Sequence, residues 1–127
     1  MRHHPVDTLE SLLRRGKSLQ QFIGGVSSSG ETGVRWIELR PVFNGIQLWV
    51  FEAEDVGTAD HTDIYSFPAL FGKPASFAAA TLATEAEAIR YAKTQFAASP
   101  NYWVDPGMAQ PDYIDFMKAG RPIPWGR

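Results

Sequence analysis

Two alternating, β-rich runs flank the dipeptide Asn44-Gly45, and no other feature restricts the fold of this chain as strongly. Asn-Gly is the favoured pair for a two-residue type I′ turn, whose central residues both take positive φ. Residues 34–54 are thus predicted to form an antiparallel hairpin with that dipeptide as its turn. The register follows: Phe43 faces Ile46, Pro41 faces Leu48, and Leu39 faces Val50. Ile37 lies on the same side, so this face is almost wholly apolar and belongs on a core. Pro41 has no N–H to give a ladder, which places its strand at an edge or a bulge.

The opposite face of the hairpin carries Trp36, Glu38, Arg40, Val42, Gln47, Trp49 and Phe51. The same register sets Arg40 across from Trp49, where a cation–π contact is worth about 0.5–1 kcal/mol if exposed.

Residues 5–24 read as a helical N-terminal segment. Asp7 with Glu10 fits a capping box, and Leu9, Leu12, Leu13, Leu19, Phe22 and Ile23 make one stripe at helical spacing. Gly16 divides the segment, with Ser18 and Gln21 available to cap a second helix. Residues 26–33, with three serines and two glycines, read as a loop. After the hairpin, Ile64 to Phe67 is predicted as a third strand and Ala75 to Leu82 as a fourth. Thr84 to Ser99 is predicted as a helix opened by the Thr84/Glu87 capping box and stopped by Pro100. Residues 100–127 form a Pro- and aromatic-rich tail, expected to wrap the domain, with helical turns over Asp112 to Lys118 and Gly120 at their end.

This order describes one α+β domain over residues 1–127. A small antiparallel sheet of 3–4 strands, centred on the hairpin, has N-terminal and C-terminal helices packed on one face. At 127 residues and 44% hydrophobic composition, such a chain can bury a core without staples. It has none: the absence of cysteine excludes a disulfide framework, a thiolate zinc site and a Cys nucleophile. It also disfavours a small secreted scaffold, so a soluble cytoplasmic protein is expected. A net charge of −2 argues against a nucleic-acid partner, and no apolar run reaches the roughly 18 residues of a membrane span.

Residues 52–63 hold Glu52, Glu54, Asp55, Asp60 and Asp63 with no Lys or Arg. Asp55, Asp60, His61 and Asp63 form an acidic loop whose oxygens suit a hard cation, but the EF-hand spacing is absent. A solvated loop is the plainer reading. His61 beside Asp60 and Asp63 has the composition of a general base oriented by a carboxylate. Nothing in the sequence fixes their distance, and neither a G-x-S-x-G elbow nor a phosphate loop is present. No catalytic residue, metal or cofactor is therefore assigned.

The aromatic face of the hairpin is the stronger candidate. Trp and Arg are enriched at interface hot spots, and a monomer seldom leaves a large apolar patch in water. Either another element covers this face, or it binds. The sequence is read as a non-enzymatic protein-binding module, of an inhibitor, immunity-type or self-associating kind. Its surface comprises Trp36, Glu38, Arg40, Trp49 and Phe51, and its partner is another protein or a second copy in a homodimer. The alternative is a small enzyme or ligand-binding protein that uses the loop of Asp60, His61 and Asp63.

Overall fold

The structure, a computed structural model, describes residues 2–28 and 30–122. Helix α1 (Leu9–Arg14), entered through a 3-10 turn at Val6–Thr8, precedes strands β1 (Leu19–Ser28), β2 (Glu31–Val42) and β3 (Gly45–Glu54). A 3-10 turn at Ile64–Ser66, strand β4 (Ser76–Leu82), and helices α2 (Glu85–Phe96) and α3 (Gln110–Lys118) follow. The four strands form one antiparallel sheet in the order β1-β2-β3-β4. The fold is α+β, as the hairpin and its neighbours imply.

The helix expected over 5–24 stops at Arg14, where Gly16 at φ +87 leaves the helical region. Leu19, Phe22 and Ile23 belong to a strand, so the second helix capped by Ser18 does not form. In β1, Leu19 and Gln21 pair with Leu39 and Ile37, whereas Gln20 and Phe22 pair with Glu38 and Trp36. All four are buried. A strand covered on both faces shows no apolar alternation, and the i, i+3, i+4 spacing of its apolar residues matched a helix by coincidence. The register shifts between Phe22 and Gly24, leaving Ile23 in a bulge. The loop expected at 26–33 shrinks to the link between Ser28 and Glu31, because both strands run into it.

The hairpin is present, but its turn lies one residue earlier than expected. Val42 pairs with Gly45, Pro41 with Ile46, Leu39 with Leu48 and Ile37 with Val50. Phe43 and Asn44 are the turn residues, and Gly45 opens β3 at φ +149. A Cβ on Gly45 would strike the Leu82 carbonyl of β4. Close approach of the next strand is thus a second reason for glycine here. The slide moves each partner by two residues, so face assignments survive. Phe43 is the exception: expected on the core face, it projects from the turn fully exposed. Pro41 sits on a central strand, beside the turn.

Ile64 to Phe67 is not a strand. Asp63 accepts a hydrogen bond from the Tyr65 N–H and caps a 3-10 turn that drops Ile64 and Phe67 into the interior. The strand expected at 75–82 is β4, and the expected capping box opens α2, with Thr84 Oγ1 accepting from the Glu87 N–H at 3.1 Å. Helix α3 ends as the tail suggested. Gly120 at φ +87 donates to the Met117 carbonyl and Arg121 N–H donates to that of Phe116, a Schellman arrangement. Trp125 lies outside the described residues.

Two cores sandwich the sheet. On the first face, Leu9 and Leu13 of α1 and Ala88 and Ala92 of α2 close over Leu19, Ile37, Leu39, Ile46, Leu48 and Val50. On the second, Tyr113 and Phe116 of α3 join Ile64 and Phe67 over Phe22, Val34, Trp36 and Ala53. One-face helix packing thus holds for α1 and α2, while α3 lies on the opposite side. The β1 edge is bridged at one point by Val104, which exchanges two 2.8 Å backbone hydrogen bonds with Gln20.

Candidate functional site

Cross-strand pairing places Trp36 beside Phe51, Glu38 beside Trp49 and Arg40 beside Gln47, all on the second face. The second core covers only part of that face and divides the five predicted surface residues. Trp36 is buried, stacked on Phe51 with ring centroids 5.5 Å apart and planes at 3°, and met edge-on by Tyr65. It is a core residue. Its indole Nε1 donates to no partner among the described residues, so packing, not hydrogen bonding, holds it. Phe51 stands at the boundary, half-buried against the second core.

Beyond that boundary the face opens. The Arg40 guanidinium lies 4.6 Å from the Trp49 ring centroid. The expected cation–π contact exists, but it is reached diagonally, since Arg40 pairs with Gln47. Trp49 Nε1 donates to Gln47 Oε1 at 3.0 Å. On the β4 side Trp49 pairs with Ala78, and the indole is half-buried.

Arg40 is fixed from beneath. Its Nε donates to Glu38 Oε2 at 2.8 Å, and Glu38 Oε1 accepts from Gln20 Nε2 at 2.8 Å. Gln20 Oε1 accepts from the Tyr65 hydroxyl and the Gly107 N–H, and the Tyr65 hydroxyl accepts from the Ala109 N–H at the start of α3. The Glu38 side chain is only 10% exposed, with both oxygens satisfied, as burial of a carboxylate requires. Arg40 is 39% exposed, and its two Nη groups donate to none of the described residues. The result is an oriented guanidinium on an indole face, with donors left over. Burial raises the Tyr65 phenol above its ordinary range.

The acidic-loop residues are placed separately. Asp55, with a side chain 2% exposed, accepts from Tyr113 Oη at 2.6 Å, from Arg121 Nε at 2.8 Å and from the Gly57 N–H. It ties the end of α3 to the loop. Burial first, then the Asp55 carboxylate, pushes the Tyr113 phenol up to about 12. Asp63 is occupied as a cap, and Asp60 is exposed in a turn closed by mutual Thr58 and His61 backbone bonds. The His61 ring packs on Phe67 at 5.1 Å and, among the described residues, makes no hydrogen bond to Asp60 or Asp63. No group of three His, Cys, Asp or Glu side chains suited to a metal ion occurs among the described residues. No helix there is long and apolar enough to cross a membrane.

Two contributors escaped the sequence reading. Gln20 and Tyr65 complete the network under Arg40, but the first stood in a segment read as helix and the second in one read as a strand. Comparisons with protein-family models, curated proteins and solved structures give no match.

Proposed function

We propose that this protein is a non-enzymatic binding module that engages another protein through the open part of its second sheet face, centred on Trp49 and Arg40. One observation carries this reading. Arg40 is pinned through Nε by a buried Glu38, stacked 4.6 Å over Trp49, and its Nη donors pair with none of the described residues. Holding a long side chain in one rotamer lowers the entropy lost when a partner docks, and Trp and Arg are both enriched in interface hot spots. The partner chemistry that fits is an apolar side chain for the indole flank beside Ala78, with a carboxylate or carbonyl acceptor for Arg40. Phe51 and Glu38 form the supported floor. Trp36 serves the fold and leaves the proposed surface.

The test uses three baits made from the whole chain: wild type, Trp49→Ser and Arg40→Ala, with Phe43→Ser as an exposed control. Proteins retained by wild type and Phe43→Ser but lost from both of the others, with every bait still folded and melting cooperatively, support the reading. Equal retention by all four baits, or loss of folding in Trp49→Ser, overturns it.

A further inference from the structure

The two edges of the sheet differ. Among the described residues, the β1 edge carries the Val104 bridge, whereas no segment pairs with the outer side of β4. Exposed edges usually bear lysines, prolines or inward charges that block pairing. Residues 75–83 read Ala-Ser-Phe-Ala-Ala-Ala-Thr-Leu-Ala, without charge or proline. Within this stretch Phe77 is 43% exposed, a large apolar ring on an open edge.

We propose that β4 pairs antiparallel with β4 of a second copy across a two-fold axis at Phe77, joining two sheets into one of eight strands. Several facts make the strand complementary to a second copy of itself in this register. The Ala75 carbonyl accepts from the Glu52 N–H of β3 at 3.1 Å, so Ala75 turns its backbone groups inward. By strand alternation Phe77 does the same, and the N–H and C=O of Ser76 and Ala78 point outward. Antiparallel pairing about Phe77 then matches Ser76 with the partner's Ala78 in both directions, four hydrogen bonds in all, with Phe77 opposite Phe77 in the close, non-hydrogen-bonded pair. Ser76 and Ala78 both lie on the second face, across from Phe51 and Trp49, so sidedness is preserved. Aromatic cross-strand pairs are favourable. With no charged residue in the strand, none meets its like across the axis. The register shift between Leu48 and Trp49 leaves Ala79 as an extra residue in β4, which limits regular pairing to the first half of the strand. Such a short seam falls at the low end of interface sizes, so the dimer is weak and exchanging.

This inference deepens the binding reading, because the two half-buried Trp49 rings, each paired with Ala78, are brought to the same seam. It does not depend on that reading. In a chain without cysteine, single-cysteine variants report cleanly. Close antiparallel pairs set Cα atoms about 4.5 Å apart, within disulfide reach. Phe77→Cys is therefore expected to oxidise to a covalent dimer far faster than Phe43→Cys at the exposed hairpin tip. Light scattering from micromolar to millimolar wild-type protein should show the mass rising towards twice the monomer, and Phe77→Lys should hold it at one with an unchanged melt. Trp49→Ser should still dimerise, which separates failure of this proposal from failure of the face. Equal oxidation rates at 77 and 43, or a constant monomer mass for wild type across the range, would overturn it.

Discussion

Replacing Phe22 with alanine probes the element that sequence periodicity misplaced. The Phe22 ring is fully buried and meets Tyr113 edge-on at 5.8 Å and Phe116 at 5.2 Å, across from Trp36. Truncating a buried phenylalanine costs about 3–5 kcal/mol in transfer and cavity terms. Flanking aromatic pairs, worth roughly 0.5–1.5 kcal/mol each, put this site in the upper part of that range. Ile23 is next in the chain but sits half-buried in the bulge, so Ile23→Ala should cost about 1–2 kcal/mol, below the fully buried range. On a helix, Phe22 and Ile23 would share the same stripe and cost alike. Equilibrium urea unfolding followed by tryptophan fluorescence measures both. A loss under about 1 kcal/mol for Phe22→Ala, or equal losses at the two positions, would refute the strand and the second core together.

Tyr113 makes folding sensitive to alkali. A phenol raised to about 12, against about 10 when unfolded, stabilises the fold below pH 10, and that stability is lost as pH rises towards 12. Tyr113→Phe should flatten this decline and remove one late step from the ultraviolet tyrosinate titration. Trp36→Phe keeps a stacked ring while removing a buried donor that has no partner among the described residues, so it should cost less than about 1 kcal/mol or even stabilise; a chemical melt decides. Gly57→Ala would set a Cβ onto the Tyr113 hydroxyl. It should displace that hydroxyl from Asp55, leave the carboxylate short of a donor and lower stability by about 1–3 kcal/mol, again read from unfolding.

Legibility followed locality. The Thr84 box and Gly120 act within a turn of the chain, and each was readable from a few neighbouring letters, whereas the helix expected to run to Ser99 and stop at Pro100 ends at Phe96, where Ala97 turns left-handed at φ +58. The hairpin was readable too, but its exact turn was not. Gly45 is demanded as much by the Leu82 carbonyl of a strand over thirty positions away as by the turn. The β1 segment failed because burial on both faces erases the alternation that marks a strand. The same cause hid the site. Glu38 and Arg40 could be placed on a face from the hairpin alone, whereas Gln20, which joins Glu38 to Tyr65 and α3, needed the sheet order. Whether the aromatic face was covered had no local signature, and the answer is divided: Trp36 is buried in the second core under Tyr65, and Trp49 stays half-buried.

That division is tested most directly by the unfolding free energies of Trp36→Ser and Trp49→Ser measured side by side. Trp36→Ser is expected to lose about 3–5 kcal/mol, the cost of emptying a buried aromatic site. Trp49→Ser, half-buried and bordered by Ala78, is expected to lose about 1 kcal/mol. A loss at Trp49 equal to that at Trp36 would make both rings core and leave the protein without the open face assigned to it.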